Sequence, residues 1–150
     1  MRSSRGFTLV ELMIALVVAS LLLAIAVPSY NQYTTRARVA AAMGDVSSLS
    51  LAIEQYRLRN NDQIPASLDD LGMEIPLDPW GRSYEFLNIP AAGTTGAVRK
   101  DGKLVPLNTD FDLYSLGKDG KSSAALTSKP AYDDIIRANN GAYVGLGEDY

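Results

Sequence analysis

The 150-residue sequence contains no cysteine and no histidine, and only one tryptophan. Without cysteine there are no disulfides, no thiolate zinc sites and no thiol nucleophiles. There is also no G-x-S-x-G and no phosphate-binding glycine loop, so a membrane-tethered enzyme has little support. A carboxylate hydrolase using Asp119 with Asp133 or Asp134 is the one catalytic arrangement the residues leave open. Positive charge is in deficit as well: 14 basic residues face 17 acidic ones, for a net charge of −3. An acidic chain with no basic cluster is a poor nucleic-acid binder.

What the sequence does have is a long apolar run at its beginning. Arg2 and Arg5 lie in a short polar leader, Gly6 follows, and Phe7 to Val27 is almost unbroken in its apolarity. At about 1.5 Å per residue this run makes a helix of roughly 31 Å, the thickness of a bilayer's hydrocarbon core. One charge interrupts it, Glu11. A carboxylate in lipid costs on the order of 3 kcal/mol, so the position requires a compensating partner.

Three readings compete for this segment. A secretory signal peptide uses Arg2 and Arg5 as its basic region and Ala24-Ile25-Ala26 as an A-x-A cleavage site, but it has no place for Glu11. A plain single-span anchor explains the length and not the carboxylate. The string Gly6-Phe7-Thr8-Leu9-Val10-Glu11-Leu12 resembles the processing site of type IV pilins and pseudopilins. That resemblance implies a prepilin peptidase cutting after Gly6 and methylating the new amino group of Phe7, with the hydrophobic helix left attached. Removing Arg2 and Arg5 takes the 14 basic residues to 12 against 17 acidic ones, a mature net charge of −5. Cleavage also creates an ammonium four residues from Glu11. A neighbouring subunit shifted along a filament axis can pair its carboxylate with that amine inside an apolar bundle, where unpaired charge is costly.

Beyond the span, Pro28 is expected to kink or loosen the helix. Apolar residues then recur at Val39, Ala42 or Met43, Val46, Leu49, Ile53 and Tyr56, the steps of three and four of an amphipathic helix with one buried face. Arg36, Arg38, Asp45, Ser48, Glu54, Gln55 and Arg59 occupy the opposite face. A coiled-coil stalk is the alternative, but the pattern is short and lacks strict heptads. Asn60-Asn61-Asp62 ends the helix. About ninety residues then remain for one small domain, whose modest core needs support from the helix or from a staple.

In that remainder, Ser67-Leu68-Asp69-Asp70 reads as an N-cap opening a helical turn over residues 67–73. Asp78-Pro79-Trp80-Gly81 reads as a tight turn capped by Asp78, with Trp80 as a structural anchor. Residues 84–87 and 111–115 alternate as strands. Gly93 to Gly96 is a flexible loop, and residues 97–99 and 104–107 flank Asp101-Gly102 as a hairpin, with Pro106 placing its second strand at an edge. The expected fold is α+β: a long N-terminal helix packed on a small C-terminal antiparallel sheet. The domains are the leader (1–6), the transmembrane or filament-core helix (7–27) and a periplasmic domain (28–150).

The DPWG-x-x-Y string after such a helix is similar to the major, G-type pseudopilins of type II secretion systems. Asp133 and Asp134 repel one another, and a hard cation such as Ca²⁺, which takes 6 to 8 oxygens, can bind such a group. Taken alone, Asp-Gly turns and paired acids are commonly just solvated loops. However, FDLYSLGKDG followed by DDI is similar to the calcium loop of the G-type pseudopilins. The resemblance implies ligands at Leu116 (backbone), Asp119, Lys121 (backbone), Asp133 and Asp134, within a loop over 116–135. This chain's loop is longer than the family's, which leaves any added ligand at Ser122 or Ser128 open. Residues Arg137 to Tyr150 extend past the usual tail.

The resemblance implies a structural subunit of a helical pseudopilus in the bacterial inner membrane. It would be single-pass, with the C-terminal domain periplasmic. Its partners would be further copies of itself, minor pseudopilins, an inner-membrane assembly platform, the prepilin peptidase and secreted protein cargo. The alternative is a type IV pilin for adhesion, twitching or DNA uptake.

Overall fold

The computed structural model describes residues 6–93 and 98–150. Arg2 and Arg5 of the leader, and Thr94 to Gly96 of the expected flexible loop, lie outside the described residues. The chain divides into two units, Met1–Ala37 and Arg38–Tyr150. A single helix, α1 (Leu9–Arg59), contributes to both.

In the first unit, α1 is apolar on every side, and none of its most apolar stretch is buried. A helix hydrophobic all round is matched to lipid or to other helices. By length and composition, this is the one helix among the described residues able to cross a membrane. Its hydroxyls are satisfied within the helix: Ser20 Oγ donates to the Leu16 carbonyl at 2.7 Å, and Ser29 Oγ to the Ile25 carbonyl at 3.0 Å. Such back-bonding leaves neither serine hydroxyl without a partner. Pro28 sits inside α1, and the helix continues through it to Arg59 as one element. One missing amide removes one ladder bond, and the turns on either side carry the helix across it.

In the second unit, α1 buries Ala42, Val46, Leu49 and Ile53, with Val39 and Met43 half-covered. These are the positions the period of 3.6 selects. They pack with Leu68, Tyr84, Phe111, Leu113 and Ile135. Each large apolar side chain so buried contributes about 1.5–3 kcal/mol. Asp45 departs from the solvent face assigned to it: the Tyr84 hydroxyl donates to its carboxylate at 2.7 Å. Burial pushes the Tyr84 phenol pKa up, and the Asp45 carboxylate pushes it the same way.

After α1, Ser67 opens a 3-10 turn over Leu68–Leu71, and its backbone N–H donates to the Asp70 carboxylate at 2.9 Å. The sheet has four strands in sequential order: β1 (Glu85–Asn88), β2 (Phe111–Ser115), β3 (Ile135–Ala138) and β4 (Tyr143–Leu146). Every pairing is antiparallel. A short helix, α2 (Ile89–Ala92), follows β1, capped by the Asn88 side chain. Strands β1 and β2 fall where alternation places them.

Residue 97 of the hairpin expected over 97–107 lies outside the described residues, and the described part, 98–107, is not built from strands. Asp101 and Leu104 exchange backbone bonds at 3.0 and 2.8 Å around the Asp-Gly turn, but the flanking residues join no sheet. Pro106 has no N–H for a ladder, and Lys100 pairs instead with Ala125 in the β2–β3 connection. Residues Arg137 to Tyr150, which extend past the tail usual for the family, supply the second half of β3 and all of β4.

Alternation along β2 sends Phe111 and Leu113 to the α1 side, while Tyr114 faces a second cluster of Leu107, Leu126, Ala131, Ile136 and Ala138. The sheet is therefore covered on both faces. The cover on the second face comes from the segment before β2 and the long β2–β3 connection.

Candidate functional site

Two places carry the residues singled out from sequence: the start of α1, and the β2–β3 loop. At the first, Gly6 and Phe7 precede the helix and are exposed. The backbone N–H of Thr8 donates to Glu11 Oε2 at 2.9 Å and the Thr8 hydroxyl donates to the same oxygen at 2.7 Å. Thr8 Oγ1 in turn accepts from the Glu11 N–H at 3.3 Å. This is a capping box in which an N-cap threonine and the glutamate three residues on satisfy each other's donors. Read as T-x-x-E, the sequence carried this signal. Within one subunit Oε2 is therefore occupied, and Oε1 has no partner among the described residues.

The second place begins at the Asp78 turn. Asp78 is buried, with Oδ1 accepting from the Trp80 N–H at 3.0 Å and the Arg82 N–H at 2.8 Å. Its Oδ2 accepts from the Ser115 hydroxyl at 2.6 Å, and Ser115 Oγ accepts from the Gly117 N–H. One carboxylate thus ties the turn to the end of β2. It also aims Arg82, whose guanidinium donates to the carbonyls of Gly117 at 2.6 Å and Lys118 at 3.3 Å. Both loop glycines are forced. At Gly117, φ is +62° and a Cβ would collide with the Asp133 carbonyl; at Gly120, φ is +69° and a Cβ would meet the Arg82 guanidinium.

The structure divides the residues expected to hold calcium. Asp119 and Asp133 come together: Asp133 Oδ2 accepts the Asp119 N–H at 2.8 Å, and Asp119 Oδ1 accepts the Lys121 N–H at 2.8 Å. The Leu116 carbonyl accepts from the Gly120 N–H at 3.2 Å. Asp134 lies elsewhere, fully buried, its Oδ2 accepting from Arg99 Nη2 at 2.5 Å and from the Ser122 hydroxyl at 2.6 Å. The Arg99 guanidinium also stacks over the Tyr114 ring at 3.7 Å. Burial raises the Asp134 pKa, and Arg99 and Ser122 pull against it without cancelling it. Among the described residues, no three carboxylates are placed to hold a metal ion. With Asp134 turned inward onto a guanidinium, the residues as placed do not fit the five-position calcium set. Ser122, held open as an added ligand, serves Asp134 instead. The same inward turn separates Asp134 from Asp119 as a hydrolytic pair.

A second buried ion pair, not anticipated from sequence, locks the C-terminal half. Arg137 on β3 reaches Asp110 at 2.6 Å and covers the Phe111 ring at 3.8 Å. Burial pushes the Asp110 carboxyl up, but the Arg137 hydrogen bonds more than reverse this and hold it below the usual carboxylate range.

Comparison with known proteins gives this geometry its context. The prokaryotic N-terminal methylation motif matches residues 1–27. Over 145 residues the chain is 32% identical to a type II secretion system core protein G of Pseudomonas aeruginosa, across 83% of this chain and 90% of that one. The chain belongs to the type IV pilin and pseudopilin family, on its G-type side. A second core protein G, of Aeromonas hydrophila, is 28% identical to the pseudopilin over 141 residues, covering 81% of this chain and 87% of that one. A fimbrial protein of Pseudomonas aeruginosa is 39% identical over 148 residues, with 95% and 85% covered. No solved structure matches. The single apolar helix and the methylation motif fit a single-pass inner-membrane anchor for this pseudopilin.

Proposed function

We propose that the chain is a structural subunit of a type II secretion pseudopilus, anchored in the inner membrane through residues 7–27 with its C-terminal domain in the periplasm. The observation that carries this reading is the similarity to a core protein G over nine-tenths of that protein's length, globular domain included. The apolar helix packs with copies of itself. A prepilin peptidase releases the leader, and an assembly platform adds subunits at the base with minor pseudopilins at work in the same filament. The growing filament moves folded cargo toward the outer membrane. A structural role is supported by the contacts of the loop acids, since Asp119 and Asp133 accept from backbone amides and Asp134 pairs with Arg99.

The second reading, a pilin for adhesion, twitching or DNA uptake, is favoured by the 39% identity to a fimbrial protein. A gene deletion separates the two. The pseudopilus reading expects folded exoproteins to accumulate in the periplasm and return to the medium on complementation, with twitching and surface pili intact. Lost twitching with normal secretion would assign the chain to a pilus.

A further inference from the structure

We propose that this chain closes its β2–β3 loop with two arginines, Arg99 on Asp134 and Arg82 on the Gly117 and Lys118 carbonyls, in place of a bound metal ion. The loop has the features that demand a staple. It is 19 residues long, from Leu116 to Asp134, and contains no strand of its own. It also covers the second face of the sheet through Leu126 and Ala131.

Four sets of contacts hold it. Arg99 anchors the far end: its side chain pairs with Asp134 and donates to Ser122, and its backbone N–H donates to buried Asp112 at 2.8 Å. The loop's middle is pinned beside it, with the Lys100 N–H donating to the Ala124 carbonyl at 2.8 Å and the Leu126 N–H donating to the Lys100 carbonyl at 2.9 Å. Arg82 anchors the near end, its guanidinium donating to the Gly117 and Lys118 carbonyls and lying where a Cβ at Gly120 would stand. The segment after β4 then straps across the loop's exit. The Gly147 N–H donates to the Asp134 carbonyl at 2.9 Å and the Glu148 N–H donates to the Tyr132 carbonyl at 3.1 Å. A Cβ at Gly147 would collide with the Ala131 carbonyl, so the strap lies directly on the loop.

The electrostatics point the same way. Both carbonyls at the near end already face a full positive charge, and a second faces the Asp134 carboxylate. A dication bound by Asp134 would have to displace or repel the Arg99 guanidinium. One atom favours a metal: Asp134 Oδ1 is buried and has no hydrogen-bond partner among the described residues. A calcium titration reads that directly.

The test uses the full-length chain in detergent, melted with calcium, with EGTA, and as variants. Wild-type protein is expected to melt at the same temperature in millimolar calcium and in EGTA, with no heat of calcium binding by calorimetry. Asp134→Asn, which breaks the buried pair, and Arg99→Lys, which loses the Nη2 contacts with Asp134 and Ser122 and the stacking on Tyr114, are each expected to lower the Tm by more than about 10 °C, unrelieved by calcium. Asp119→Asn, at the exposed rim, is expected to stay within a few degrees of wild type, by roughly the cost of one exposed hydrogen bond. A wild-type Tm that falls in EGTA, together with an Asp119→Asn variant that loses the calcium response, would overturn the proposal. So would an Arg99→Lys variant as stable as wild type. If the pair variants fail to fold, the wild-type calcium and EGTA measurements still decide.

Discussion

Glu11→Gln is expected to be cleaved and methylated like wild type, to insert in the membrane, and to form no filament. Glutamine is the informative substitution because Glu11 has one task that the structure shows, the helix cap, and a second that the proposed filament assigns to it. Its local task, accepting from the Thr8 amide and hydroxyl, needs only an oxygen at the third helical position, and glutamine supplies one. Its task between subunits needs a negative charge opposite the Phe7 ammonium of a neighbour. Losing one member of a buried charge pair costs about 3–5 kcal/mol, and every 1.4 kcal/mol is a factor of ten in association. Each subunit contact should therefore weaken by roughly two to three orders of magnitude. Glu11→Ala removes both tasks, so its helix start should fray as well, by about 1 kcal/mol. Electron microscopy of sheared filaments and mass spectrometry of the membrane fraction read the two tasks separately. Filaments from Glu11→Gln at wild-type length and number would show that the charge is dispensable and only the cap matters.

Asp78→Ala is expected to cause a large loss of stability, although Asp78 touches no other subunit in this account. Its two oxygens serve the Trp80 and Arg82 amides and the Ser115 hydroxyl, and all three donors lose their acceptor at once. Each buried donor left unpaired costs about 1–3 kcal/mol, with the turn amides at the lower end because water can reach them. A loss of about 2–4 kcal/mol corresponds to a Tm lowered by roughly 10–20 °C. The damage should spread to the β2–β3 loop, because the Asp78 turn is what aims Arg82 at the Gly117 and Lys118 carbonyls. Hydrogen exchange at Gly117 to Gly120 should accelerate along with exchange in the turn itself. Asp78→Asn, which keeps one oxygen for the amides, should lose about half as much. A variant within a few degrees of wild type with an unaltered loop would mean that the turn closes without its carboxylate.

Both predictions involve residues visible in the sequence whose partners were harder to see. The buried face of α1 was legible because Val46, Leu49 and Ile53 repeat with the helical period, and β2 because Phe111-Asp112-Leu113-Tyr114-Ser115 alternates. Strand β3 was not. Ile135-Ile136-Arg137-Ala138 is buried at every position, so it shows no alternation, and an arginine in its middle argues against burial. Arg137 is tolerated there because Asp110, 27 residues earlier, and the face of Phe111 satisfy it.

The same limit explains the acidic loop. Adjacent aspartates are a local feature, but which cation answers each is decided by chain distant in sequence. Arg99 lies 35 residues before Asp134, and Arg82 lies 35 residues before Gly117. The T-x-x-E cap at Thr8, by contrast, is local, with both partners within three residues. No local pattern predicts that Asp133 faces Asp119 while Asp134 turns inward.

The central claim is that Phe7 to Val27 remains part of the working protein, with a new amine at its head and Glu11 as that amine's partner in the next subunit. The mass of the mature chain extracted from the membrane tests this most directly. The account predicts a polypeptide of 144 residues beginning at N-methylated Phe7. A chain that still carries Met1 to Gly6 in cells with an active processing peptidase, or one that begins near Val27, would contradict it.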